Sequence, residues 1–205
     1  FKDIPLKTDD GWVDIGAVVR LAPIKDVKTM IYAFFELHER LPKVRLHIMG
    51  GVDDEEYGAE CHALVETLGV RDLIFTGRVN VVEYMEKLDF TILTSISEGQ
   101  PLSVLESLAA CRPCVTTEVG CCRELLEGAP GDDFGVAGFV TPPMYRKGLA
   151  DAMERMCTSR ARRIEMGERG QRRVATYFLH EQMLANYRAL YDVTAQAFDL
   201  PREGE

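Results

Sequence analysis

The 205-residue sequence lacks a hydrophobic run long enough to cross a membrane, and its start does not resemble a signal peptide. Its apolar runs have the length of β-strands, far below the roughly 20 residues that a spanning helix needs. Basic residues are also scarce, with 24 Lys and Arg against 33 Asp and Glu, which gives a net charge of −9. No uniform basic field is available to attract phosphate polymers. We therefore expect a cytoplasmic protein without a transmembrane segment that does not bind nucleic acid.

A regular cysteine framework is absent as well. Most of the cysteines lie in apolar or small-residue segments, which favours the reduced, buried thiols of a cytosolic protein. The spacing Cys111-x-x-Cys114 resembles half of a zinc site. The other half would have to come from the adjacent Cys121 and Cys122, which is poor geometry for chelation. We therefore expect neither a metal nor a cofactor. The remaining cysteines are Cys61 and Cys157.

The apolar content of 46% is enough to bury a substantial core. Short β-branched runs alternate with segments of helical period, and the runs are almost continuously apolar, as in a parallel sheet that is covered on both faces. The pattern predicts an α/β fold with a doubly wound, mostly parallel, Rossmann-like sheet. Predicted strands lie at 13–19, 44–49, 73–76, 90–94, 113–117 and 138–140. Predicted helices lie at 27–40, 55–68, 82–88, 103–110, 122–127 and 146–158.

The pattern changes after these elements, because two further helices are predicted at 160–178 and 181–198 with no strand between them. The first of these helices contains several arginines that are interleaved with Glu165 and Glu168. The mixture favours a solvated helix face over an anion-binding surface. The arginines are Arg160, Arg162, Arg163, Arg169, Arg172 and Arg173.

Two cations follow the first predicted strand. Arg20 ends the strand and Lys25 lies five residues later at the start of a helix, so both can face one point. Ligands of such sheets bind beyond the carboxyl ends of the strands. An arginine fork, a mobile lysine charge and free backbone amides together form a plausible diphosphate site. The spacing alone is equally compatible with two surface cations.

The segment after the fourth predicted strand contains the other candidate site residues. Gly99 allows a close backbone approach to a ligand, and Pro101 fixes the entry to a helix whose N-terminal amides can receive an anion. Glu98 and Glu106 can line the same crevice and accept hydrogen bonds from sugar and ribose hydroxyls. Two alternatives stay open. Ser103-x-x-Glu106 is also a capping box that needs no ligand, and Glu98 could be an exposed loop acid.

Three other features are given no catalytic role. The acidic run at 53–56 could suggest a metal, but negative charge at a helix start is favourable for the helix dipole. No G-x-G-x-x-G follows the first predicted strand, which argues against a dinucleotide oxidoreductase. None of the histidines pairs convincingly with a nucleophile; they are His38, His47, His62 and His180.

The candidate residues occur in the order and spacing of the family 4 retaining glycosyltransferases, which the chain resembles over residues 13–140. The motifs are Arg20-x4-Lys25, Phe75-x-Gly77-x-Val79, Glu98-x7-Glu106 and the run from Pro113 to Gly120. The segments at 23–29, 98–102 and 122–128 are most similar to the PelF branch, which builds an exopolysaccharide from UDP-glucose. The resemblance implies the C-terminal domain of a GT-B fold, followed by two extra helices.

The resemblance also implies roles for the candidate residues. Arg20 and Lys25 would neutralise the diphosphate leaving group, so that no metal is needed. Glu98 would bind hydroxyls of the donor sugar, Glu106 would bind the ribose, and the turn at 78–79 would meet the base. The implied catalytic residues are Arg20, Lys25 and Glu98. The implied donor-binding residues are Arg78, Val79, Gly99, Gln100, Pro101, Leu102, Ser103 and Glu106.

The resemblance divides the chain into a UDP-sugar-binding domain at 1–159, a helical extension at 160–200 and a frayed tail at 201–205. Because the sequence opens on Phe1 rather than Met, we expect a piece of a longer protein. The missing N-terminal domain would bind a polysaccharide or glycan acceptor, so the isolated chain would bind donor without turnover. The full-length protein could also join a membrane complex. Two alternatives are a UDP-sugar epimerase of the same fold and a non-catalytic Rossmann-type interaction module.

Four positions depart from the family pattern. Cys111 and Cys114 stand where glycine and valine are usual, and Cys121 stands where a glycine or serine is expected. Asp26 stands where glycine commonly follows the lysine. Its carboxylate would either weaken the phosphate site or cap the helix that follows.

Overall fold

The computed structural model describes residues 1–197, and the predicted tail at 201–205 lies outside the described residues. One six-stranded sheet has the strand order β3-β2-β1-β4-β5-β6, and all of its pairings are parallel. The strands are β1 (Val13–Val18), β2 (Val44–Met49), β3 (Leu73–Gly77), β4 (Phe90–Leu93), β5 (Cys114–Thr117) and β6 (Gly138–Thr141). The predicted doubly wound, Rossmann-like sheet is confirmed.

Helices follow the strands and cover both faces of the sheet. They are α1 (Val27–Arg40), α2 (Glu55–Leu68), α3 (Val81–Met85), α4 (Leu102–Ala109), α5 (Cys122–Glu127), α6 (Arg146–Cys157), α7 (Arg160–Tyr177) and α8 (His180–Ala197). A short 3-10 turn, Pro23–Lys25, precedes α1.

The core divides into clusters on the two faces of the sheet. All four residues of β4 are buried, as the apolar sequence Phe-Thr-Ile-Leu predicts. Ile92 belongs to a cluster with the buried face of α1, including Phe34, whereas Leu93 belongs to a cluster with α4 and α5. Adjacent strand residues point to opposite faces, so these two neighbours join the sheet to both helix layers.

The strand order reverses between β1 and β4. The chain runs outward from β1 to β3 on one side, returns to β4 and then runs outward to β6 on the other side. The carboxyl ends of β1 and β4 therefore flank the topological switch point, where ligands of doubly wound sheets bind.

Buried charges hold the opposite end of the sheet together. The carboxylate of Asp14 in β1 accepts a hydrogen bond from Arg45 at 2.6 Å and forms an ion pair with Lys7 at 2.8 Å. Asp89, directly before β4, lies 3.1 Å from Arg163 and 3.3 Å from Lys7. Burial by itself would raise the pKa of Asp14, but the contacts with His47, Arg45 and Lys7 outweigh that effect and hold the pKa well below its usual range.

The predicted solvated arginine face of α7 is wrong at two positions. Arg163 and Arg173 are buried, while Arg162 and Arg172 are exposed. Arg173 donates to the backbone oxygens of Leu125, Leu126 and Gly135 and pairs with Asp132. Arg163 donates to the carbonyls of Met156 and Cys157 and pairs with Asp89, although its buried Nε has no partner among the described residues. Both guanidiniums therefore connect α7 to the body of the domain.

Helix α8 differs from the other helices because one of its sides is apolar and exposed. Tyr187, Leu190 and Tyr191 each expose more than half of their surface. Among the described residues, no helix combines the length and the apolar character that crossing a membrane requires.

Candidate functional site

A cleft of about 460 Å³ opens at the carboxyl ends of β1, β2 and β3. Arg20 and Lys25 line one side of it, as the sequence predicts for two cations that face one point. Arg78 and Val79 come from the turn after β3 and line the other side. The structure therefore brings the predicted phosphate-binding pair and the predicted base-binding turn into a single open cleft.

Lys25 is placed by a turn rather than by the helix predicted to begin there. It ends the 3-10 turn, and α1 begins only at Val27. Asp26 between them has a positive φ of 46° and accepts a hydrogen bond from the backbone N–H of Thr29 at 3.4 Å. Of the two expectations for Asp26, helix capping is therefore the one that the structure shows.

Each candidate cation pairs with a carboxylate. The Lys25 Nζ lies 2.6 Å from the Glu98 Oε1. The Ser95 hydroxyl donates to the same carboxylate oxygen at 2.7 Å, which fixes the Glu98 side chain over the end of β4. Arg20 pairs with Asp53 in the loop between β2 and α2. Glu98 is thus not a solvated loop acid, because only 16% of its side chain is exposed.

The loop that contains Glu98 is held from two sides. The Ile96 N–H donates to the carbonyl of Ile24 at 2.9 Å, and the Cys121 N–H donates to the carbonyl of Gly99 at 3.0 Å. Gly120 has a φ of 50°, and a Cβ at this position would lie 2.0 Å from the Gly99 carbonyl oxygen. Only glycine allows this contact, so residue 120 fixes where the Glu98 loop lies.

The capping-box interpretation of Ser103 and Glu106 is wrong. Helix α4 begins at Leu102 with Pro101 as its N-cap, and no side chain caps it. Ser103 is therefore already the second helical residue, two positions after the N-cap. The Glu106 carboxyl is half-buried, and burial raises its pKa above the usual value.

The predicted donor-binding residues fall into two places. Gln100, Leu102 and Glu106 line a groove of about 600 Å³ between α4 and the C-terminal helices, together with Tyr187. Glu98 instead contacts Lys25, so the two predicted carboxylates do not line one crevice in this arrangement. Along the connecting segment the backbone is exposed at Gly99, Pro101 is buried and Ser103 is half-buried.

The acidic run at 53–56 has two separate uses. Asp54 caps α2 by accepting a hydrogen bond from the Tyr57 N–H at 2.9 Å, which agrees with the helix-dipole interpretation. Asp53 pairs with Arg20, a contact that the sequence analysis missed. Its signal in the sequence is weak, because it depends on β1 and β2 ending side by side.

Neither metal chemistry nor thiol chemistry has a visible site in the described part of the chain. No group of three or more histidine, cysteine or acidic residues could hold a metal there. All six cysteines are free. Burial raises the pKa of Cys114 to about 11 and that of Cys122 to about 12, so both remain protonated, unreactive thiols.

Comparison with known proteins supports the same interpretation of the fold. The family model described as Glycosyl transferases group 1 matches residues 13–159. The N-acetyl-alpha-D-glucosaminyl L-malate synthase of Bacillus anthracis is 26% identical over 170 residues, which cover 82% of this chain and 42% of that protein. The chain therefore spans less than half the length of this curated relative.

Two solved structures share the fold. HepE from Anabaena, solved in complex with UDP and glucose, superposes with a TM-score of 0.76 at 22% identity, over 87% of this chain and 48% of that one. The C-terminal domain of the group 1 protein LpcC from Francisella tularensis superposes with a TM-score of 0.71 at 20% identity, over 82% of this chain and 87% of that domain. At these identities the likeness shows the fold alone.

Proposed function

Because the chain belongs to the group 1 glycosyl transferases, we propose that it is the donor-binding half of a retaining transferase that moves a hexose from a UDP-sugar to a glycan. The observation that supports this most directly is the contact between Lys25 and Glu98 at the switch point of the sheet. There a cation that can receive a phosphate lies against a carboxylate that can receive sugar hydroxyls.

In the proposed reaction, the donor's diphosphate binds between Arg20 and Lys25 in the cleft. Both side chains face the cleft, so they can neutralise the charge that develops on the diphosphate as the sugar departs. Lys25 would exchange Glu98 for phosphate, and Glu98 would then accept hydroxyls of the donor sugar. Stabilisation of the leaving group by these cations makes a metal unnecessary in this proposal.

The rest of the donor would extend from this point. The base would lie against Arg78 and Val79, which line the far side of the cleft. The ribose hydroxyls would reach Glu106, and the backbone of 100–103 at the start of α4 would contact sugar and phosphate. Since Glu106 lines the neighbouring groove in the described structure, we propose that donor binding brings α4 and the cleft into one site.

Two observations bear on which UDP-sugar is the donor. The resemblance to the PelF branch suggests UDP-glucose and an exopolysaccharide product. HepE, which shares the fold, was solved with UDP and glucose, which supports the UDP-sugar class. We propose UDP-glucose as the donor.

We also propose that the acceptor half lies in another part of the protein. The chain covers 42% of the Bacillus anthracis relative and most of a domain that was solved as the C-terminal domain of its protein. The exposed apolar side of α8 would be covered by that other half. The isolated chain would therefore bind the donor without transferring the sugar.

The test is calorimetric titration of the isolated chain with UDP, UDP-glucose and uridine. We expect UDP and UDP-glucose to bind, and Lys25→Ala to weaken UDP by about tenfold or more with little change for uridine, because a charge-assisted contact to phosphate is lost. The matched control is Lys28→Ala, since Lys28 pairs with Glu60 and does not line the cleft. Absence of UDP binding at millimolar concentration by a folded sample would refute the proposal. Equal losses for UDP and uridine would show that Lys25 does not contact phosphate.

A further inference from the structure

The pair between Arg20 and Asp53 places a negative charge beside a proposed phosphate-binding cation. The Arg20 side chain is 63% exposed and the Asp53 side chain 32% exposed. Arg20 lines the cleft, but Asp53 is not among the residues that line it. The arginine is therefore held at the edge of the cleft by an acid that lies outside it.

The backbone fixes the position of this acid. The N–H groups of Asp53 and Asp54 both donate to the carbonyl of Leu21 at 3.1 Å. The Leu21 N–H donates to the carbonyl of Gly51 at 2.9 Å, so the segments that follow β1 and β2 are joined in both directions. These bonds hold the Asp53 backbone beside the end of β1, whereas the Arg20 side chain is 63% exposed and can rotate.

We propose that Asp53 is a positioning residue that competes with the diphosphate for Arg20. In the ligand-free chain the Asp53 carboxylate is paired with the Arg20 guanidinium, and an incoming diphosphate must displace that carboxylate. The competition lowers the affinity for the nucleotide and hastens the departure of the nucleoside diphosphate after sugar transfer. This inference rests on the proposed function, because it concerns the same phosphate site.

The signs of the charges indicate that Asp53 opposes phosphate binding rather than supporting it. A carboxylate next to a phosphate site is repulsive unless a cation stands between them. Removing the charge of Asp53 should therefore strengthen phosphate binding, even though it removes an ion pair from the free protein. A residue whose only role is structural would have the opposite effect, or none.

The experiment is a titration series with UDP on the isolated chain. We expect Asp53→Asn to tighten UDP binding by roughly two- to fivefold, the range that loss of an exposed ion pair implies. Uridine binding should not change. Glu55→Gln is the matched control, because it removes the same charge from an exposed position two residues away. Asp53→Glu retains the negative charge and should therefore bind UDP with the wild-type affinity.

A double-mutant cycle decides whether the effect acts through Arg20. In an Arg20→Ala background, Asp53→Asn should no longer change the affinity for UDP. If UDP affinity rose equally in that background, or equally in Glu55→Gln, the effect would come from the net charge of the protein and not from Arg20. Either result would overturn the inference. Weaker UDP binding by Asp53→Asn would also overturn it. If the wild-type chain does not bind UDP at all, the proposed function fails first, so the two failures are distinguishable.

Discussion

At the amino ends of the strands Asp14 and Asp89 are buried and each contacts several cations, whereas at the carboxyl ends Arg20 and Lys25 each contact one carboxylate. The side chains of both buried acids are only 4% exposed. The two ends of one sheet thus use the same residue types in different ways.

The difference follows from solvation. A buried charge without a partner is very unfavourable, so each member of the amino-end network depends on the others. A partly exposed pair is weak, because water replaces its contacts at little cost. The number of partners and the degree of burial therefore separate charges that stabilise the fold from charges that a ligand can displace.

The largest effect is expected from breaking the buried network. Asp89→Asn leaves the buried Arg163 without its carboxylate partner, so the free energy of unfolding should fall by about 3–5 kcal/mol. Urea denaturation at neutral pH measures it. Asp3→Asn removes the same charge from an exposed position and should change stability by less than about 0.5 kcal/mol. If the two variants were equally stable, the amino-end charges would not be structural and the comparison would fail.

The stability that the buried network contributes should also depend on pH. The pKa of Asp14 is lowered in the folded state, so its stabilising contribution is complete above the unfolded-state value of about 3.9 and is lost as pH falls toward the folded value. The stability difference between the wild type and Asp14→Asn should therefore be constant from pH 7 to 5 and shrink below pH of about 4. Urea midpoints at several pH values test this. A difference that grows with acidity contradicts it.

The smallest effect is expected at the carboxyl end. Lys25→Ala removes one partner of a single pair, so the free energy of unfolding should fall by about 1 kcal/mol or less. The same variant is expected to lose UDP affinity, which separates binding from stability. A stability loss comparable to that of Asp89→Asn would show that Lys25 holds the fold, and the contrast between the two ends would disappear.

The sheet was predictable because its signals are local. All six strands lie within one or two residues of the predicted bounds, since an apolar strand that is buried on both faces differs in composition from its amphipathic neighbours. The approach of Arg20 to Lys25 was also predictable, because one short turn separates them.

Other features depend on contacts between distant segments and were missed. The mixture of arginines and glutamates in α7 predicted that Arg163 and Arg173 are solvated. They instead share a helix face with the buried residues Met166, Gly167 and Gly170. Helical spacing could have revealed that face. The pairing of Arg20 with Asp53 and the groove between α4 and α8 required the tertiary arrangement, which no local pattern contains.

Gly120 is a position that any redesign of this protein must leave unchanged. Any side chain there would collide with the carbonyl oxygens of Glu98 and Gly99, at 2.5 and 2.0 Å from its Cβ. Residue 120 should therefore be kept fixed in a mutant library. Ile96, Ser97 and Gln100 have exposed side chains on the loop that Gly120 supports, so they can be randomised to search for new donor preferences without moving its backbone.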